Sequence, residues 1–320
     1  MSGTEEFVRI KQSLVDTVST VIVGKREVLE LVVIDLIAGG HILFEDNPGL
    51  GKTTMARAVA KAVGLEFKRV QFTADLLPSD VTGTFVFDGT LGFKFVKGPV
   101  FTQVLLADEI NRSPPKTQSA LLEAMQERQV TVENQTFQLP LPFAVFATQN
   151  PIEYEGTYPL PEAQLDRFMV RLRVGYPSMD DEVQILALKK ASEDEFANVK
   201  QVTDADSLLR LHGALDQIFV DEDIRKYVVR LVAETRASKL AEVGVSPRGS
   251  IHLYRMAQAK AACNGRDYVI PDDVKSLAVP VLSHRLVLGV DSEVKGVTQE
   301  QVIAEIVNRT PVPKVIDNAG

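Results

Sequence analysis

The chain has 320 residues, 45% hydrophobic and 24% charged, with a formal net charge of −8 and a pI near 5.2. That length calls for one large domain and a smaller one, and the acidic balance argues against non-specific binding to a polyanion such as nucleic acid. Cys263 is the only cysteine, so no intramolecular disulfide can form, and the four histidines lack metal-ligand spacing.

The N-terminus is acidic where a signal peptide would be basic, and Glu30, Asp35 and His41 interrupt the most apolar early stretch. A cytoplasmic protein without a transmembrane segment is expected. Apolar residues over 8–36 recur at helical spacing, with Gly24 between two predicted helices and Gly39-Gly40 closing the second. The period then changes. Residues 41–44 form a short apolar run halted by a Pro-Gly cluster, as a buried strand entering a loop would, and a helix over 53–63 follows with Gly64 as its left-handed cap. Further strands are predicted over 67–72, 104–107, 144–148 and 169–174, with a helix over 117–127. This alternation predicts an α/β core, a mostly parallel five-stranded sheet with helices on both faces.

Two β-hairpins read as insertions into that core. One spans 85–95 with turns at Asp88-Gly89 and Gly92, and the other spans 130–139, turning at Glu133-Asn134. Beyond Tyr176-Pro177 the strand signals fade. Helices over 181–191, 206–218, 221–238, 247–263 and 272–282 predict a smaller all-α domain. The expected organisation is a core over 1–176, a helical domain over 177–310 and a tail over 311–320, the chain loosening from Asn308.

Pro48-Gly49-Leu50-Gly51-Lys52-Thr53 lies between a buried strand and a helix, the context of a phosphate-binding loop. Its glycines let backbone N–H groups converge on phosphate oxygens. Lys52 would reach the outer phosphates, and Thr53 offers a hydroxyl to Mg²⁺. The first glycine of the general motif falls on Asp46, which departs from the pattern. Downstream, the apolar run 104–107 delivers Asp108 and Glu109 at the strand end where open α/β sheets bind ligands. Asp108 would hold the metal shell, and Glu109 would activate the attacking water as base.

The chain at this point resembles the MoxR-type AAA+ ATPases. The resemblance is carried by Glu45 to Thr53, Ala107-Asp108-Glu109-Ile110-Asn111-Arg112, Pro114 to Glu127, Ala147-Thr148-Gln149-Asn150-Pro151, Leu165-Asp166-Arg167-Phe168 and Ser246-Pro247-Arg248, in family order over most of the chain. It implies an AAA+ P-loop core followed by a helical lid, and it makes Asp46 ordinary for the family. Asn150 matches sensor 1, although an Asn-Pro pair can equally begin a turn. Arg167 matches the arginine finger that enters the neighbouring subunit's site, although an Asp-Arg pair can also be a surface ion pair. Arg248, in the first turn of a predicted helix, matches sensor 2, which would touch the γ-phosphate from the lid; a cation there opposes the helix dipole unless an anion is bound. Ile22-Val23-Gly24 matches the segment lining the adenine pocket, where simple core packing is an equal reading. Asn47 and Thr54 complete the ATP contacts around Pro48, Gly49, Leu50, Gly51, Lys52 and Thr53. Arg112 is a further candidate trans-acting arginine, or a partner of an acidic neighbour.

The resemblance further implies ATP and Mg²⁺ as cofactors, a homo-oligomer in the form of a hexameric ring, a partner with a von Willebrand factor A domain, and a client protein that is remodelled, matured or loaded with a cofactor. Two alternatives share the fold: the ATPase subunit of a metal chelatase and a DNA-associated AAA+ motor. The second is disfavoured by the 130–139 hairpin, which carries Glu133 and no Lys or Arg.

Overall fold

A computed structural model describes residues 3–89, 92–150, 157–191 and 196–313. Two helices that pack on each other, α1 (Glu5–Ser19) and α2 (Arg26–Ala38), come first, and Gly39 ends α2 in the left-handed conformation. The core continues through β1 (Ile42–Glu45), α3 (Lys52–Val63), β2 (Phe67–Gln71), the short α4 (Pro78–Thr82), β3 (Gly83–Asp88), β4 (Gly92–Lys97), β5 (Val104–Asp108), α5 (Pro115–Glu127), β6 (Gln129–Val132), β7 (Gln135–Gln138), β8 (Ala144–Gln149), α6 (Glu162–Leu165) and β9 (Val170–Leu172).

Five strands form one sheet in the order β2-β5-β8-β1-β9, and every neighbouring pair is parallel. The three inner strands are apolar and buried along almost their whole length because helices cover both faces. Edge strand β2 instead alternates around Lys68 and Arg69, which keep that edge charged. The C-terminal ends of β1, β5 and β8 lie side by side, so the loops that leave them share one rim of the sheet.

The expected hairpins are β3–β4 and β6–β7, and they meet each other. Phe95 of the first stacks on Phe137 of the second with centroids 4.1 Å apart and planes 12° apart, and Phe85 and Phe101 close the cluster. Residues 90–91 of the first turn lie outside the described residues.

After β9 the chain is largely helical: α7 (Met179–Ala191), α8 (Ala205–Ala214), α9 (Glu222–Ala237), β10 (Ala241–Val243), α10 (Pro247–Cys263), α11 (Pro271–Leu282), β11 (Val287–Leu288), α12 (Val290–Val294) and α13 (Gln299–Arg309). This corrects two expectations. The region is not all-α, since β10 and β11 pair as a small antiparallel ribbon. Nor does the chain loosen at Asn308, which lies within α13; that helix opens on a capping box in which Thr298 and Gln301 bond each other's backbone. Residues 314–320 of the predicted tail lie outside the described residues. One apolar cluster runs from α1, α2 and α3 into α10 and α11, while a second, on the other sheet face, joins α5 to the hairpins.

Candidate nucleotide site

The loop from β1 to α3 needs its glycines for conformation. Gly49 (φ 81°) and Gly51 (φ 80°) are left-handed, and a Cβ at either would meet nothing within 4 Å, so backbone strain and not crowding excludes other residues. No side chain caps the start of α3, so its first N–H groups face the cavity available to phosphate oxygens. Asp46 does work a glycine could not: its carboxylate accepts the N–H of Asn47 at 3.1 Å and that of Gly175 at 2.7 Å, tying the loop to the segment after β9. Lys52 donates to the carbonyls of Asp46 (2.7 Å) and Asn47 (2.8 Å). Burial lowers its pKa, and the charges of Asp46, Asp108 and Glu109 oppose that shift.

The loop borders a cavity of about 480 Å³. Its lining combines the apolar Val21, Ile22, Val23, Pro177 and Ile185 with the polar Asp108, Glu109 and Asn150. Pro48 to Thr54 line it as well. Two expected contacts do not line it. Asn47 donates instead to the hydroxyl of Tyr176 at 3.1 Å, and Gly24 abuts α7, where a Cβ would fall 2.1 Å from Oδ2 of Asp181.

Both acids at the end of β5 are hydrogen-bonded. Asp108 Oδ1 accepts from the Thr148 hydroxyl at 2.6 Å, and the same hydroxyl accepts the N–H of Glu109 at 2.8 Å. Asp108 Oδ2 accepts from Nε and an NH2 group of Arg69 at 3.0 and 2.6 Å. Glu109 is itself left-handed at φ 55°, ψ 50°, an uncommon conformation for a residue with a side chain. Its Oε2 accepts from Gln71 at 2.6 Å and from Arg112 at 3.0 Å, so Arg112 pairs with the acid of its own chain. Asn150 is held nearby, its carbonyl accepting from Asn111 at 3.4 Å; the adjoining Pro151 lies outside the described residues.

Among the described residues no group of three or more His, Cys, Asp or Glu side chains could hold a metal unaided. A cation between Thr53 and Asp108 would complete its shell with phosphate oxygens and water, which is how Mg²⁺ is held with nucleotides. The donor set therefore fits Mg²⁺.

Arg167 and Arg248 sit elsewhere. With Arg128 they line a second cavity of about 200 Å³ that has His41 and His252 in its wall and no carboxylate among its lining residues. Burial lowers the His41 pKa to about 4, and burial with the nearby Arg285 and Arg248 lowers that of His252 to about 3, so both rings are neutral near pH 7 and the cavity's charge is positive. Arg167 donates to Gln126 (3.2 Å) and to the carbonyl of Ala163 (3.1 Å). Arg248 was expected to touch the γ-phosphate from the lid, and it does not line the P-loop cavity of its own chain. The start of α10 is anchored instead to the segment before Arg167: the N-cap Ser246 donates to Asp166 Oδ2 at 2.8 Å, and the buried Arg285 donates to Asp166 Oδ1 at the same distance.

Residues 41–170 match the ATPase family associated with various cellular activities, and residues 233–306 match the AAA lid domain. The chaperone MoxR1 of Mycobacterium tuberculosis is 42% identical over 93% of this chain and 81% of its own. The chain belongs to the MoxR-type AAA+ ATPases. It is also 47% identical to the uncharacterized protein YeaC of Bacillus subtilis, over 98% of both chains. A crystal structure of a candidate ATPase from Cytophaga hutchinsonii superposes with a TM-score of 0.90 at 38% identity, covering 98% of this chain and 97% of that one. As an AAA+ ATPase the chain is an ATP hydrolase, and no described helix is long and apolar enough to cross a membrane. Motif reasoning missed Arg69, Gln71 and Thr148, which sheet register brings to the acid pair, and Arg128, which shares the second cavity with Arg167.

Proposed function

We propose that this chain works as a homo-oligomer, in a hexameric ring, and hydrolyses Mg-ATP at sites made by two subunits. One subunit supplies the P-loop, with Lys52 on the outer phosphates, Thr53 and Asp108 toward the metal, Glu109 as base and Asn150 orienting the water. Bound Mg²⁺ would neutralise phosphate charge. The neighbour supplies Arg167 and Arg248, with Arg128 beside them. The supporting observation is the separation of the cations: the arginines share one carboxylate-free cavity and do not line the P-loop cavity of their own chain. Held to each other through Asp166, they suit a single phosphate group presented by a neighbour.

Arg248→Ala should keep ATP affinity within about twofold and lower kcat by roughly 10² or more, as loss of a cation acting in the transition state does. Steady-state kinetics alongside nucleotide titration check this. Weakened binding with unchanged kcat would place Arg248 in ground-state binding and contradict the assignment.

The hydrolysis cycle drives chaperone-like remodelling or maturation of a client in the cytoplasm, together with a partner that carries a von Willebrand factor A domain. Support comes from the relative named as a chaperone and from the exposed Phe87 and Phe93 at the tip of the β3–β4 hairpin, which leave apolar surface for a protein contact. Affinity capture with the Glu109→Gln form should retain such a partner with ATP and release it without; retention indifferent to nucleotide would contradict this part.

A further inference from the structure

Asp108, the carboxylate assigned to the metal, already has a cation on it. Arg69 covers Oδ2 with two nitrogens, at 3.0 and 2.6 Å, while Thr148 holds Oδ1 at 2.6 Å. The two partners differ in kind. Thr148 is a neutral, buried donor on an inner strand. Arg69 is a permanent charge on edge strand β2, its side chain 50% exposed against 13% for Asp108.

A dication approaching this carboxylate can leave the Thr148 bond as it is. Arg69 opposes that approach where it stands, because the guanidinium occupies Oδ2 with two N–H groups, leaving only the remaining lone pair of Oδ1, and its charge repels the ion. Mg²⁺ sharpens the conflict, since it demands near-octahedral geometry and keeps several waters around it. Position on an exposed sheet edge gives the arginine a way out into solvent.

We propose that Arg69 is an internal counter-cation that competes with Mg²⁺ for Asp108. The Arg69–Asp108 pair opens as the metal–nucleotide complex binds, and Arg69 thereby sets the Mg²⁺ concentration at which the site loads. This rests on the Mg²⁺ reading of Asp108 given above. Arg69 is a positioning residue here. It also donates to Gln71 Oε1 at 3.0 Å, and Gln71 holds Glu109 at 2.6 Å, so release of Arg69 removes one support of the bonded chain that reaches the base.

The test is a Mg²⁺ titration of the full chain with a fluorescent ATP analogue, following bound nucleotide and not turnover. Arg69→Ala should reach half-saturation at roughly three- to fivefold less Mg²⁺ than the wild type, the range expected on losing a half-exposed ion pair. Arg69→Lys keeps the charge and should stay within about twofold of the wild type, which a merely structural role for the side chain would not predict. A midpoint that is unchanged or raised in Arg69→Ala overturns the proposal. Wild-type binding that ignores Mg²⁺ altogether would instead overturn the metal reading of Asp108, a distinguishable failure.

Discussion

Glu109 sits at φ 55° with its carboxylate held by Gln71 and Arg112, while Lys52 reaches the P-loop carbonyls about the same cavity. If Glu109 acts as the base, Glu109→Gln should keep ATP affinity within about twofold and lower kcat by roughly 10²–10⁴. Lys52→Ala removes a phosphate counter-charge and should lose affinity at least about tenfold. Nucleotide titration of both variants, set beside their turnover, separates the roles; equal affinities in the two would contradict them. Lys52, Asp108 and Glu109 were legible because motif chemistry fixes their neighbours in sequence. Arg69, Gln71 and Thr148 were not, because they reach Asp108 and Glu109 only through the parallel pairing of β2 and β8 with β5. Gly24 was legible as a turn residue, yet its closest neighbour, Asp181, lies 157 positions away in sequence and no local pattern announces that contact.

Helix α7 contributes Ile185 to the lining of the P-loop cavity, and it can approach because Gly24 has no side chain. Gly24 is also left-handed at φ 71°. Gly24→Ala should therefore destabilise the fold by about 1–2 kcal/mol through backbone strain, more where the Asp181 carboxylate cannot move aside. It should weaken ATP binding as the wall formed by Ile22, Val23 and Ile185 opens. Urea denaturation and nucleotide titration measure the two effects; wild-type values in both would show that the contact matters to neither. At this scale the main elements were legible because the inner parallel strands are apolar runs bounded by turn residues and the helices carry clear periods. The ribbon of β10 and β11 was not: its strands are three and two residues long and, unlike the equally short β9, are mostly not buried, so no apolar run marks them. Helix α13 was missed although its Thr298-x-x-Gln301 capping box stands in the sequence.

Across the whole molecule, Asp166 joins two regions that sequence motifs treat separately. One of its oxygens takes Ser246 at the start of the helix that carries Arg248, the other takes the buried Arg285, and Arg167 follows it in the chain. Asp166 thereby ties the segment of Arg167 to the helix start that carries Arg248, and if the two arginines act together, in a ring with head-to-tail interfaces they serve one neighbouring P-loop. Mixing experiments on subunits that re-form rings at random test this directly. Equal amounts of Glu109→Gln and Arg167→Ala chains, each nearly inactive alone, should regain activity, since about a quarter of interfaces then join an intact Glu109 to an intact Arg167. Equal amounts of Arg167→Ala and Arg248→Ala chains should stay inactive, because every donor subunit lacks one arginine of the pair. With subunit exchange verified independently, silence in the first mixture would contradict the shared site, and recovery in the second would return Arg248 to its own subunit's nucleotide.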